Sequence, residues 1–268
     1  MTQDRENYRL TGADGFQFQR RAKRYRRWSR LEIAAAIGLP MTLLAAADAR
    51  GAPYIDLTLG YNTGDYGTAL TSTQYSVAAE LGYVTPTYNV SAGIPFLVLD
   101  DAFAGTSTAE TGLGDAHVQG GATVWEAESG GTSVNLGASV KFATGDETTG
   151  LGTGATNYAG YLSINQDINV YTVTFLTGYL FIGSPAGIHY DDVVPYGISI
   201  QRTFRRTNIY TALQGETSPV PGAPDPIEWG VGLFHILNPT TALKLNGFIG
   251  LSDSSPDYGL STGFVRWF

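Results

Sequence analysis

Asp56, Glu80, His117, Lys141 and Lys244 are ionisable residues set inside runs where every second residue is apolar. Ile55, Leu57, Leu59 and Tyr61 alternate with Asp56, Thr58, Gly60 and Asn62, and Val134, Leu136, Ala138 and Val140 with Asn135, Gly137, Ser139 and Lys141. In a strand, such sets face opposite sides of the sheet. If the apolar sets face lipid, both lysines must point the other way, because a lysine at the bilayer midplane costs roughly 2–4 kcal/mol. The same parity turns Asp56, Glu80, Asn89, His117, Gln119, Asn135, Tyr161, Asn165, Gln201, Gln214 and Asn246 inward. A set of this kind can line a solute path. Lys141 and Lys244 could meet solute or pair with Glu80 or Asp56, and the sequence leaves both open.

Other chemistries lack their parts. A barrel lipase needs a serine and a histidine at hydrogen-bond distance, oriented by a third polar group. Of His117, His189 and His235, the first has inward parity, the second lies in a loop, and the third shares the outward parity of Trp229, Val231 and Leu233. No Gly-x-Ser-x-Gly elbow is present. The glycine-rich Thr144-Gly-Asp-Glu-Thr-Thr-Gly-Leu-Gly-Thr-Gly154 is not followed by Gly-Lys-Ser/Thr, so it is no phosphate loop. The acidic residues show no fixed calcium-loop spacing. The reading is a non-enzyme with no catalytic residues, no cofactor and no defined metal site.

The elements that position the inward set are strands. The chain has 34 glycines, 16 tyrosines, no cysteine and 15% charged residues. Beyond residue 50 it has no apolar span of helix-crossing length. Segments near 54–62, 72–83, 87–97, 115–126, 132–143, 157–166, 169–182, 193–204, 207–216, 228–236, 241–250 and 258–268 read as twelve strands. Their length of about ten residues suits tilted strands crossing a bilayer. Short turns at 84–86, 127–131, 167–168, 205–206 and 237–240 alternate with longer loops at 63–71, 98–114, 144–156, 183–192, 217–227 and 251–257. That alternation is expected of an all-β, up-and-down antiparallel transmembrane barrel with both termini periplasmic. A lumen walled by twelve strands should be narrow.

Charge follows the same parity. Asp65, Asp100, Asp101, Glu110, Asp146, Glu147, Asp191, Asp192, Asp225, Glu228, Asp253 and Asp257 lie in or beside the long loops, whereas Arg205 and Arg206 occupy a short turn. Acidic loops keep the surface solvated, bind divalent cations that bridge to lipopolysaccharide, or favour cationic and neutral solutes at the mouth.

The first 49 residues differ in kind. A basic run, Arg20–Arg30, precedes the apolar stretch Leu31–Ala47, and Ala47-Asp48-Ala49 offers a small-x-small cleavage site. Residues 1–49 read as a signal peptide with a long basic region, and 50–268 as the barrel. The leader holds nine Lys/Arg and five Asp/Glu, leaving seven and nineteen in the remainder, a net charge of −12. That balance excludes nucleic acid as a partner. The C-terminal strand presents Tyr258, Leu260, Phe264 and Phe268 on one face, with Arg266 among them. A terminal aromatic on an amphipathic strand is similar to the signal read by the barrel-assembly machinery.

Thr111-Gly-Leu-Gly-Asp115 and Leu136-Gly-Ala-Ser-Val-Lys-Phe-Ala-Thr-Gly-Asp146, with Leu151-Gly-Thr-Gly154, carry a family resemblance. They resemble the SGLGD and VKxPTGD…LGTG segments of the meta-pathway phenol-degradation transporters of the outer membrane. Ala143 stands where that family usually has proline. The resemblance implies a small barrel passing aromatic or other hydrophobic solutes. The alternatives are a non-conducting structural or surface-binding barrel and, behind it, an outer-membrane lipase.

Overall fold

The computed structural model describes residues 51–66, 70–103, 106–128, 130–185, 187 and 189–268. The expected leader over 1–49, its cleavage site and Arg50 lie outside the described residues. The described strands are β1 (Ala52–Gly64), β2 (Thr71–Val84), β3 (Tyr88–Phe103), β4 (Thr106–Leu113), β5 (His117–Glu126), β6 (Thr132–Lys141), β7 (Asn157–Ile168), β8 (Tyr171–Phe181), β9 (Pro195–Phe204), β10 (Thr207–Glu216), β11 (Ile227–Asn238), β12 (Thr241–Gly250) and β13 (Tyr258–Trp267). Every described strand but β4 pairs antiparallel on both sides, β4 pairs only with β3, and the circle closes where β1 meets both β13 and β2. A closed circle of strands removes the free edges that an open sheet would present to lipid.

β4 and β5 share one position in the wall, so the thirteen segments form a closed barrel of twelve strand positions. β3 pairs with β5 through Tyr88–Gly93 and with β4 through Phe96–Phe103. The break falls opposite Pro95. Its carbonyl accepts the Gly114 amide at 2.8 Å, but proline has no N–H to return. The sequence expectation of a loop over 98–114 is corrected here. Leu97 and Leu99 continue the alternation past Pro95 and are buried, and the ladder with β4 runs out to Phe103 and Thr106. A second irregularity, between Thr123 and Trp125, leaves both Val124 and Trp125 exposed. This is the geometry of a bulge.

The outer wall is apolar. Leu59, Leu81, Leu136, Phe175, Leu213, Leu245, Leu260 and Phe264 are all exposed, and all have the parity opposite to Asp56 and Lys244. An exposed apolar face on every strand around a closed sheet is the surface of a membrane-spanning barrel. Both described chain ends and the short turns gather at one end, and the longer loops at the other.

Candidate functional site

Cross-strand register places Asp56 of β1 directly opposite Glu80 of β2 on the inner face. Two carboxylates so placed repel unless each is compensated. Asp56 receives Lys244 Nζ, reaching across β13 from β12, at 2.7 Å to Oδ1 and 2.5 Å to Oδ2. Thr58 Oγ1 donates to the same carboxylate at 2.9 Å. Glu80 takes hydrogen bonds from Tyr54 Oη at 2.9 Å and Gln119 Nε2 at 3.1 Å, and lies 3.4 Å from His117 Nε2. Small residues make room. At Gly82 a Cβ would run into the Tyr54 ring, and at Gly93 it would meet His117 at 2.8 Å.

These groups border a cavity of about 250 Å³ within the barrel. Its lining includes Asp56, Glu80, His117 and Lys244, the aromatic residues Tyr210, Phe234 and Phe248, and the polar Gln214, Glu228 and Asn246. Tyr210 donates to Asn246 Oδ1 at 2.6 Å, and Gln214 to Glu228 at 3.1 Å. Three carboxylates against one lysine and one histidine give the cavity a field that disfavours anions.

Toward the short turns the inner face divides. On β1, β2 and β11–β13, Tyr54, Val84, Phe234, Ala242, Val265 and Trp267 pack into a buried cluster, with Phe234 and Trp267 edge to face. On β5–β8 the inner face is a ladder of polar pairs. Thr123 donates to Asn135 at 2.7 Å, Asn165 to Ser133 at 3.0 Å, and Thr174 to Asn165 at 2.9 Å. The path is apolar on one side and hydrogen-bonding on the other.

At the long-loop end, the two sequence motifs meet. Asp115 turns inward at the β4–β5 break. Its Oδ1 accepts the Gly145 amide at 2.9 Å, and its Oδ2 accepts the Thr153 amide at 2.9 Å and the Thr153 hydroxyl at 2.8 Å. Lys141 Nζ lies 3.6 Å from Asp115 and donates to Thr153 Oγ1 at 3.1 Å. Leu151 inserts against Leu97 and Leu99. Gly152 is required, because a Cβ there would overlap the Gly145 carbonyl and press on Asp115. The 142–156 loop is thereby strapped to the inner wall.

All the residues expected to point inward do so by register. Asp56, Glu80, His117 and Lys244 share the cavity; Gln119 reaches it through Glu80. Asn135 and Asn165 belong to the polar ladder, and Tyr161 packs beside Ala159, Leu180 and Val193. Of the two possible lysine pairings, Lys244 takes Asp56, while Lys141 goes to Asp115 rather than to Glu80 or Asp56. Asp115 and the inward aromatic residues Tyr54, Tyr210, Phe234 and Phe248 were missed by a rule that puts polar groups inside. Parity alone could have found them. The histidines form no serine pair among the described residues: His235 bonds Thr207 at 2.7 Å on the outer face, and His189 lies 3.7 Å from Asp191.

No family model and no curated protein sequence matches the chain. Solved structures do resemble it. A KdgM porin in complex with disordered oligogalacturonate aligns with a TM-score of 0.52 at 12% identity, over 80% of this chain and 99% of that one. The β domain of the Bordetella autotransporter BrkA aligns at 0.53 and 14%, over 82% and 100%. The translocator domain of autotransporter NalP from Neisseria meningitidis aligns at 0.50 and 11%, over 88% and 97%. A porin and two autotransporter domains share the architecture, so the fold is that of outer-membrane barrels, and the fold by itself does not decide between their functions.

Proposed function

We propose that the barrel is an outer-membrane channel through which small neutral solutes, apolar or aromatic with a hydrogen-bonding group, cross passively. The observation that carries this reading is the cavity of about 250 Å³, lined by Tyr210, Phe234 and Phe248 together with Asp56, Glu80, His117 and Lys244. A dry cavity of about 150 Å³ can hold benzene, so a monocyclic ring with one polar substituent fits. The acidic field argues against organic anions. The motifs at 111–115, 136–146 and 151–154 resemble those of the phenol-degradation transporter-like family; they mark turns and a strand end, so they support the barrel more than the solute.

In this reading both termini are periplasmic, the acidic loops face lipopolysaccharide, and the last strand engages the barrel-assembly machinery. Cysteine at Thr149 or Gly222 should react with an impermeant maleimide on whole cells, and cysteine at Arg206 should not. Reversed labelling would overturn the orientation.

The test is uptake of labelled benzyl alcohol, benzoate and xylose by cells lacking their general porins. Expression should raise benzyl alcohol entry several-fold above either comparison solute. An equal rise for all three would remove the selectivity. The second reading, a non-conducting structural or surface-binding barrel, is favoured by the Phe234–Trp267 cluster that narrows the lumen; no rise for any solute would select it.

A further inference from the structure

The barrel sorts the six basic residues between 51 and 268 into two groups. Lys141 and Lys244 are buried on the inner wall, each beside an aspartate. The four arginines lie at the short-turn end and enter no ion pair among the described residues. Arg202 and Arg266 have outward parity on β9 and β13, and Arg205 and Arg206 form the β9–β10 turn.

Arg202 is mounted rather than loose. Its guanidinium carbon lies 4.2 Å from the centroid of Phe204 and 5.5 Å from that of Tyr171, two exposed rings on the apolar outer wall. Stacking uses the face of the guanidinium and leaves its in-plane N–H donors for a partner. The neighbouring turn adds a second observation. Arg205 holds φ +51°, in the left-handed region that few side chains adopt. The β7–β8 turn fills the same need with Asn169 at φ +58°, a residue that tolerates it. A long cation kept at a strained turn position points to use of its side chain. Asp167, near the end of β7 beside the adjacent turn, has inward parity and accepts from Thr172 Oγ1 at 2.6 Å.

We propose that Arg202, Arg205 and Arg206, with Phe204 and Tyr171, form a docking site for the phosphate of an anionic glycerophospholipid in the leaflet that meets the short turns. Position and charge complementarity support this occupant. Arg202 sits about 7 Å along the strand from Phe204, the last residue of β9, where the apolar wall gives way to headgroups. A planar guanidinium matches a phosphate with two parallel hydrogen bonds. The two turn arginines surround the same headgroup level, and the acidic long loops lie at the other end of the barrel.

The experiment is native mass spectrometry of the folded barrel released from micelles holding equal phosphatidylglycerol and phosphatidylcholine. The wild type should retain phosphatidylglycerol over phosphatidylcholine by about tenfold, the scale of one charge-assisted hydrogen bond. R202Q/R205Q/R206Q should lose that preference, and R266Q, four strands away, should keep it. Phe204→Leu should reduce it about threefold with every charge in place, through loss of the cation–π seat. Heat-modifiable gel migration establishes folding in each case. Should the triple variant not fold, R206Q and Phe204→Leu carry the test, and an unchanged preference in both overturns the proposal. No preference in the wild type, or one that survives the triple substitution, overturns it equally.

Discussion

Lys244→Met removes the cation that compensates Asp56. The Lys244 and Asp56 side chains are 7% and 4% exposed, so the pair is largely withdrawn from water. Breaking a buried pair by deleting one member costs about 3–5 kcal/mol. An independent bound agrees. The stranded carboxylate can escape its charge by taking a proton, and at pH 7 neutralising an ordinary aspartate costs about 4 kcal/mol. Glu80, opposite Asp56 in the register, keeps the penalty near that bound. Asp56→Asn combined with Lys244→Met removes both charges and should recover most of the loss, ending within about 1 kcal/mol of wild type or above it. The assay is reversible urea unfolding in phospholipid vesicles, followed by tryptophan fluorescence. A single-variant loss below about 1 kcal/mol would refute the reasoning, since that is the scale of an exposed pair. A double variant no better than the single would also refute it.

Asp115→Ala should free the 142–156 loop: losing hydrogen bonds to a charged acceptor, at about 1.5–3 kcal/mol each, should lower exchange protection of the Gly145 and Thr153 amides by about 30-fold or more while leaving β7 and β8 protected. Thr148, through its hydroxyl and amide, holds the Asp146 carboxyl below the ordinary aspartate value of 3.8. The turn it stabilises should persist above that value and unwind as pH falls through the depressed one; a carboxyl carbon titration in micelles with a midpoint at or above 3.8 would contradict this. Phe268 is exposed, and its amide donates to the Pro53 carbonyl at 3.0 Å across the barrel seam. Deleting it should cut heat-modifiable protein in the outer membrane several-fold, whereas Arg266→Leu should be tolerated, because a charge at the membrane boundary costs only about 0–1 kcal/mol.

Strand order, loop parity and the inward set were legible because alternation is a local property with a large energetic contrast between lipid and lumen. Once Leu57 and Leu59 face lipid, Asp56 and Thr58 have no choice. The β3–β4 hairpin was hidden because Asp100 and Asp101 counted with the acidic long-loop residues, although Leu97 and Leu99 continue the alternation of the strand and are buried in the structure. Lysine partners were hidden for a different reason. Lys141 faces His117 in the register, and its carboxylate lies two residues farther along at Asp115. Such diagonal neighbours follow from register, which composition does not reveal. The inward aromatic cluster follows from parity but breaks the expectation of a polar lumen. The glycine-rich motifs were visible as turns, but that they strap one loop to Asp115 needed the fold to bring residues 115 and 153 together.

The central claim is that solute passes through this lumen and that Phe234 and Trp267 narrow its way. Single-channel recording of folded residues 50–268 in planar bilayers tests it directly. The wild type should show small discrete openings that benzyl alcohol interrupts and benzoate does not. Phe234→Ala with Trp267→Ala should enlarge the step, because both side chains are buried on the inner wall at the short-turn end. A membrane that stays silent with the wild type and with the widened variant, while both proteins are folded, would contradict the account.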